Sequence, residues 1–365
     1  MKSVFDFDPN LSTMPQEGRN LFWRDAKDSS AFGLYGSDAL GETGYARLTE
    51  AERNVLRPVN DGEAWLAEQS AGIQLRFRTD SSQVFIRVKI RSKFDMTNMT
   101  QIGQCGGDLY VYDETLKTFV LHDVARYAFD GTEYELSMSR FANAPRKMRR
   151  FLYYFPLYMA VDSFEIGLDD GAFVAPEPFS TKKRIAVYGT SITQGCSASR
   201  PGMASTNMLS RDLDTEVLNF GFSGCAFMEE EMGDILGKRK NIDLLIVDTE
   251  ANAGIDDRME RNSEKFFNAF FAHRPDVPVV VYSRVMFSLD LYDDFRARLR
   301  EYYKGFLNEL AAKYRREGRK MYYADGSKIL GGNFTEYYAD GIHPTDTGMR
   351  LIADSYREEI RKIWG

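Results

Sequence analysis

The hydrophobic pattern of this chain changes its period near residue 180, and this change restricts the folds that the chain can adopt. Over residues 72–90 apolar and polar residues alternate on both sides of a turn at Asp80-Ser81-Ser82, which is typical of a half-buried β-hairpin. Similar short runs follow at 109–112, 119–122, 134–138, 150–158 and 163–168. Several short strands without long helices between them predict a β-sandwich of jelly-roll type.

Beyond residue 178 short apolar runs alternate with helical stretches. Strands are predicted at 184–188, 216–220, 242–248, 277–282 and 320–324, and the clearest helices at 291–316 and 345–363. This alternation predicts an α/β domain in which a parallel sheet carries helices on both faces. Since 365 residues exceed the usual size of one core, we expect two domains, 1–178 and 182–365. Ligands of such sheets bind beyond the carboxyl ends of the strands.

Composition excludes several classes of function. The net charge of -7, with both signs mixed along the chain, argues against nucleic-acid binding. No apolar run approaches the roughly 20 residues of a membrane span. The first eight residues carry acids where a signal peptide is apolar, so we expect a cytoplasmic protein, or an exported one whose leader is missing from this sequence.

The cysteines and aromatic residues each leave a choice of interpretation. Cys105, Cys196 and Cys225 are odd in number and lack CxxC spacing, which favours reduced thiols over disulfides or a zinc site, and we expect no metal or other cofactor. Aromatic residues make up 13% of the chain. Cross-strand pairs in a β domain are the favoured explanation, and surfaces that stack on sugars are the alternative.

Three histidines are available as a general base. His122 lies in a predicted strand, and His273 ends a helix, where a cation beside the last carbonyls is a sufficient explanation. His343 stands between the last strand and the last helix, and Asp340 precedes it by three residues. One turn would allow this carboxylate to reach Nδ1 and leave Nε2 free.

Ser191 is the candidate nucleophile. It follows the strand 184–188 and Gly189, at a strand-to-helix turn that exposes a hydroxyl and leaves backbone N–H groups for an oxyanion. A phosphate-binding turn and a simple helix cap look similar. Nucleotide binding is disfavoured because the glycines and lysine of a phosphate loop are missing.

Four segments together resemble the SGNH (GDSL-like) hydrolases. Gly189-Thr190-Ser191 is similar to the first block of that family, although Thr190 replaces its Asp, and Asp340-Gly341-Ile342-His343 is similar to the last. Residues 219–224 resemble the glycine block, and 248–252 stand where the family has Gly-x-Asn-Asp, a pattern that this chain lacks. All four follow predicted strands in the family's order.

The resemblance implies a flavodoxin-like three-layer α/β/α hydrolase domain and a serine esterase mechanism. Ser191 would be the nucleophile, His343 the base and Asp340 its orienting carboxylate. The oxyanion hole would comprise Ser191, Gly224 and Asn252.

The resemblance extends to the N-terminal half. Residues 106–110 match the Gly-x-Asp-Leu-Tyr signature of a β domain that precedes one SGNH subgroup, and 198–203 are also similar to that subgroup. The resemblance to this subgroup implies a carbohydrate O-acetyl esterase whose substrate is an acetylated carbohydrate or another small ester. Arg200 is either a substrate contact or a structural ion pair. A lipase or thioesterase with the same triad, and a non-catalytic glycan-binding protein, are the alternatives; the oligomeric state stays open.

Overall fold

The computed structural model describes residues 4–8, 20–42, 44–127, 130–141 and 146–365. Residues 1–3 and 9–19 of the predicted first domain lie outside the described residues. The strands are β1 Leu21–Asp25, β2 Gly33–Tyr35, β3 Gln74–Thr79, β4 Gln83–Ile90, β5 Asp108–Asp113, β6 Thr118–Val124, β7 Glu133–Arg140, β8 Arg149–Tyr154, β9 Val161–Asp169, β10 Val174–Pro176, β11 Arg184–Gly189, β12 Glu216–Gly221, β13 Leu244–Asp248, β14 Val279–Tyr282 and β15 Met321–Ala324.

The α-helices of the described residues are α1 Glu50–Leu56, α2 Asp61–Leu66, α3 Gln101–Cys105, α4 Ser191–Gln194, α5 Ser205–Leu213, α6 Glu230–Lys238, α7 Glu250–Ala253, α8 Arg258–His273, α9 Asp294–Arg316 and α10 Asp346–Trp364. None of them combines the length and the apolar character of a membrane-spanning segment.

The described part of the N-terminal half forms two antiparallel sheets, with strand orders β1-β9-β4-β7 and β10-β3-β8-β5-β6, and β2 pairs with β3. Side chains from both sheets meet in one apolar core, in which Phe77 and Phe151 of one sheet are grouped with Ile86 and Ile166 of the other. The predicted antiparallel β domain is therefore confirmed.

The predicted hairpin over 72–90 is wrong. Strands β3 and β4 lie in different sheets, so the turn between them crosses from one sheet to the other. Asp169 holds this turn, because its carboxylate accepts hydrogen bonds from the N–H (2.6 Å) and the hydroxyl (2.7 Å) of Ser82. The alternation shows only which side chains face the core. The same alternation occurs in two strands paired in one sheet and in two strands that face each other across a sandwich, so it could not distinguish them.

The C-terminal half has a five-stranded parallel sheet in the order β12-β11-β13-β14-β15. Numbered within this domain the order is 2-1-3-4-5, that of flavodoxin-like folds. Two separate apolar cores, one containing α6, α8 and α9 residues and the other containing α5 and α10 residues, cover the sheet faces. The predicted three-layer fold and its five strands are confirmed, and the strands begin or end within a few residues of the predicted limits.

Two helices of the N-terminal half pack into the core of the parallel-sheet domain. Leu56 of α1 and Leu66 of α2 are buried in the same apolar cluster as Tyr188, Phe220 and Phe266. The two halves of the sequence thus share a core, and the segment before β3 completes one face of the second domain.

Arg47 ties this segment to the end of β12. Its guanidinium is fully buried and donates to the carbonyls of Leu66 (2.6 Å), Gln69 (3.0 Å) and Asn219 (3.3 Å), and to that of Gly221. Burial lowers the pKa of Arg47 to about 9, so the group is still charged near neutral pH. Four carbonyl dipoles therefore stabilise one buried cation at the boundary between the halves.

A second buried charge joins the Gly-x-Asp-Leu-Tyr segment to the loop before α5. Asp108 is fully buried, and its carboxylate accepts from Arg200 Nη1 at 2.8 Å and from the Gly202 N–H at 3.0 Å. Burial of this carboxyl raises its pKa, against the effect of Arg200. The Asp108 side of this ion pair is fully buried, so the carboxylate depends on its partners to remain charged.

We expect Asp108→Asn to lower the free energy of unfolding by about 1–3 kcal/mol, because it leaves the partly buried Arg200 guanidinium without its counter-charge. Urea unfolding followed by circular dichroism measures the loss. Glu133→Gln is the control, since Glu133 pairs with Lys89 at 2.8 Å on the exposed surface. Equal stability of the two variants would show that the Asp108 pair does not hold the halves together.

Candidate active site

The end of β11 places Ser191 at the carboxyl edge of the parallel sheet. Gly189 is required there, because a Cβ would lie 2.1 Å from Thr193 Oγ1 and 2.7 Å from the Asp248 carbonyl oxygen. Thr190 caps α4 by accepting from the Ile192 N–H at 3.3 Å. Ser191 is the first residue of α4, so its own N–H has no acceptor within the helix.

His343 reaches Ser191 from the loop that precedes α10. Its Nε2 lies 2.9 Å from Ser191 Oγ, and its Nδ1 lies 2.7 Å from Asp340 Oδ2. The other Asp340 oxygen accepts from the backbone N–H groups of Ile342 (3.0 Å) and His343 (2.8 Å), which fixes the carboxylate in the turn. The structure thus brings together the three residues of the predicted triad, at the spacing that proton transfer requires.

These contacts shift the pKa values of Asp340 and His343. Burial by itself would raise the pKa of Asp340, but hydrogen bonds from His343, Asn98 and Ile342 lower it to about 2. Burial opposes a charge on the His343 ring, whereas the neighbouring Cys196 sulfur and the Asp340 carboxylate favour it, and the pKa of His343 is raised to about 9. The positively charged form of the His343 ring is therefore stabilised.

A cavity of about 550 Å³ opens beside the serine and the histidine. Gly224 and Asn252, the predicted oxyanion-hole residues, line this cavity together with Ser191 and His343. Gly224 has a φ of +72°, which favours glycine. The Asn252 Oδ1 accepts from the Ala226 N–H at 3.3 Å, which leaves its Nδ2 group available as a donor.

Arg200 lies at the boundary of the two halves and is not among the residues of this cavity. Its guanidinium pairs with Asp108 and the Tyr110 hydroxyl. Of the two alternatives for Arg200, the structure shows the ion pair, and the possible substrate contact is corrected because the buried carboxylate of Asp108 holds the guanidinium outside the cavity.

Asn98 is a site residue that the sequence did not reveal. It comes from the loop between β4 and α3 in the N-terminal half, and its Nδ2 donates to Asp340 Oδ2 at 2.7 Å. The same nitrogen lies 3.4 Å from His343 Nδ1. Its backbone is fixed in turn, since the Ser197 hydroxyl donates to the Asn98 carbonyl at 2.8 Å. No motif marks this asparagine, and only the docking of the two halves places it against the triad.

Glu250 was also missed, although it lies two residues before Asn252. Its carboxyl is buried in the cavity wall and accepts from the Arg284 N–H at 2.8 Å. Burial raises its pKa to about 7, against the nearby Arg284 charge. The contact fixes α7, and with it Asn252, to the chain that follows β14.

Cys196 and Cys225 are free thiols. Cys196 is buried and lies next to His343, whereas Cys225 borders a separate surface cavity, and neither belongs to the cavity of Ser191.

Comparison with known proteins identifies the family of the chain. Residues 182–361 match the GDSL-like Lipase/Acylhydrolase family. Residues 21–174 match the GxDLY family, which is described as the N-terminus of Esterase_SGNH_hydro-type. The two matches cover most of the chain, which therefore belongs to the SGNH (GDSL-like) hydrolases with a GxDLY β domain. No curated protein sequence matches it.

Solved structures share the whole architecture. A protein from Bacteroides ovatus described as a GDSL-like lipase has a TM-score of 0.84 at 26% identity, over 94% of this chain and 98% of its own. The salicylyl-acyltransferase SsfX3 has a TM-score of 0.76 at 18% identity, over 95% of this chain and 98% of its own. A family two carbohydrate esterase from Cellvibrio japonicus has a TM-score of 0.60 at 14% identity, over 94% of this chain and 98% of its own. The last two likenesses concern the fold.

We expect kcat/KM for ester hydrolysis to rise with pH through a midpoint well above 6.5, the ordinary value for histidine, and close to 9. The base must be unprotonated to accept the serine proton, so a raised pKa moves the acid limb upward. Asp340→Asn should shift the midpoint to lower pH and reduce kcat, because it removes the charge that stabilises the imidazolium.

His273→Gln is the control for this profile, since His273 pairs with Asp234 at 2.8 Å away from the cavity. A midpoint near 6.5 in the unmodified enzyme would contradict the raised pKa.

Asn98→Ala should lower kcat about tenfold with little change in KM, because one hydrogen bond to the charged Asp340 is lost. Asn98→Asp should in addition move the acid limb to higher pH, since a second negative charge beside His343 favours its protonated form. Thr97→Ala, at an exposed neighbour in the same loop, is the matched control. Identical kcat values for Asn98→Ala and Thr97→Ala would exclude a positioning role.

Proposed function

We propose that the chain is a serine esterase that hydrolyses short acyl esters, and acetyl esters of carbohydrates in particular. The observation that carries this proposal is the connected series Ser191 Oγ, His343 and Asp340, with spacings of 2.9 and 2.7 Å, beside an open cavity. A non-catalytic glycan-binding protein would have no need of this complete arrangement.

In the proposed mechanism, His343 Nε2 accepts the proton of Ser191 as Oγ bonds to the ester carbonyl carbon. The carbonyl oxygen becomes an oxyanion, which the N–H groups of Ser191 and Gly224 and the amide of Asn252 stabilise. Collapse of this intermediate breaks the bond to the alcohol oxygen, and His343 donates its proton to that oxygen as it leaves.

Deacylation repeats the sequence with water as nucleophile. His343 accepts a proton from the water, whose oxygen attacks the acyl carbon, and then returns the proton to Ser191 Oγ as the free acid leaves. Asp340 keeps the ring in the orientation that both steps need, and it stays ionised because its pKa is low.

The acetyl-carbohydrate part of the proposal rests on the GxDLY half. The family match over 21–174 supports the resemblance to the subgroup for which this activity is expected. The cavity also suits a polar alcohol, because Glu250, Asn252 and Arg284 supply polar groups along its wall.

A longer acyl group is the second candidate, and a specific observation favours it. The mouth of the cavity includes Ile255 and Phe295, which are 70% and 65% exposed, and Leu299 beside them. Exposed apolar side chains at a cavity mouth offer a surface to an acyl chain. The relative rates of acetyl and octanoyl esters distinguish the two candidates.

Ser191→Ala should reduce the hydrolysis of p-nitrophenyl acetate by about 10⁴-fold or more, because the remaining groups cannot form an acyl-enzyme. The unmodified enzyme should hydrolyse the acetate faster than the octanoate, and should release acetate from acetylated xylan, mannan or simple sugar acetates. Chromatography of free acetate and release of p-nitrophenol measure both activities.

Equal melting temperatures of the Ser191→Ala variant and the unmodified protein would show that the variant is folded. A Ser191→Ala variant that keeps a tenth of the activity would refute the triad. A strong preference for octanoate would replace the acetyl proposal by the second candidate, with the triad unchanged.

A further inference from the structure

The side chain of Asp290 is fully buried and is not among the residues that line the cavity beside Ser191. Its carboxylate accepts hydrogen bonds from both terminal nitrogens of Arg284, each at 2.7 Å, and from the Phe287 N–H at 2.9 Å. Arg300 of α9 donates to the same carboxylate at 3.3 Å. A buried carboxylate needs such partners to remain charged, so Asp290 fixes the conformation of the chain over 284–290.

The 284–290 segment contacts the oxyanion side of the candidate site through its first residue. The Arg284 N–H donates to Glu250 Oε2 at 2.8 Å, and Arg284 Nε lies 3.4 Å from Glu250 Oε1. Glu250 begins α7, the short helix that also contains Asn252, the proposed oxyanion donor. The position of Asn252 therefore depends on the conformation of the 284–290 segment.

The same segment contacts the turn of the proposed triad. The Ser288 N–H donates to the carbonyl of Gly341, the residue that follows Asp340, at 2.9 Å. Close packing fixes this contact, since a Cβ on Gly341 would lie 3.2 Å from the Ser288 side chain. The Met286 carbonyl accepts from the hydroxyl of Tyr338, two residues before Asp340. One segment thus holds both the turn of Asp340 and the helix of the oxyanion donor.

We propose that Asp290 is a positioning residue for ester hydrolysis, which holds the 284–290 segment and thereby sets the spacing between Asn252 and His343. This inference rests on the proposed esterase function. The two groups act on the same intermediate, Asn252 as a donor to its oxyanion and His343 as the acid for the leaving oxygen. An error in their spacing therefore lowers turnover. Ester binding changes less, because Asp290 does not line the cavity.

Asp290→Asn should lower kcat for p-nitrophenyl acetate about tenfold and leave KM within about twofold, because the alignment of the reacting groups is lost and not their contact with the ester. Asp108→Asn is the matched control. Asp108 is equally buried and also holds one arginine and one backbone N–H, but its partners Arg200 and Gly202 do not line the cavity. Both variants should melt at a lower temperature than the unmodified protein, and only Asp290→Asn should lose turnover.

Ser288→Pro is a second variant, which removes the N–H that donates to Gly341 and leaves Asp290 in place. Ser288 is the first residue of a 3-10 helix, and Phe287 before it has an extended backbone (φ −101°, ψ 153°), so the chain accepts proline here. This variant should also lower kcat about tenfold. Ser288→Ala should retain most of kcat, because it keeps the N–H.

NMR of the histidine rings gives a readout that does not require activity. The proton in the 2.7 Å hydrogen bond between His343 Nδ1 and Asp340 should give a resonance far downfield of the backbone amides. In Asp290→Asn and in Ser288→Pro this resonance should move upfield or disappear through exchange with water, because the turn is no longer held. In Asp108→Asn it should stay where it is in the unmodified protein.

A lower kcat and a shifted resonance in Asp290→Asn and Ser288→Pro, but not in Asp108→Asn, would support the positioning role. If Asp290→Asn does not fold, Ser288→Pro decides by the same two measurements. If the unmodified protein hydrolyses no ester, the proposed function fails, and the resonance by itself shows whether Asp290 holds the turn. An unchanged resonance or kcat in the folded variants, or an equal loss of kcat in Asp108→Asn, would overturn the role while the esterase proposal stands.

Discussion

The buried guanidinium of Arg47 is the contact on which the geometry of this protein depends. It binds carbonyls on both sides of the boundary, those of Leu66 and Gln69 in the N-terminal half and those of Asn219 and Gly221 in β12. A buried cation must keep such partners, because the loss of one leaves an unpaired charge in a medium of low polarity. The end of β12 and the glycine block that follows are therefore fixed by a residue from outside the hydrolase domain.

The residues of the proposed triad show the same dependence on both halves. The parallel sheet brings Ser191 and His343 together, since one follows β11 and the other lies in the loop after β15. The carboxylate that orients the imidazole is then held by Asn98 of the β domain. The candidate site is thus assembled at an interface, with Ser191, His343 and Asp340 on one side and Asn98, which contacts Asp340, on the other.

The sequence predicted the features that depend on local pattern. Period-two alternation identified strands, alternating strands and helices identified the parallel sheet, and the order of short motifs located Ser191, His343 and Asp340. Features that depend on long-range packing were missed or wrong. The alternation in 72–90 could not show that β3 and β4 lie in different sheets, because burial is the same in both cases. The sequence offered an ion pair for Arg200 without its partner and gave no role to Asn98, since the residues that they contact are about 90 and 240 positions away in the chain.

The shared core has a consequence for how this architecture is inherited. Leu56 and Leu66 cover apolar residues of the parallel-sheet domain, including Phe220 and Phe266. If the N-terminal half were exchanged for another module, these aromatic side chains would face water. The two halves therefore depend on each other for their packing, and a change on one side of their boundary requires a compensating change on the other.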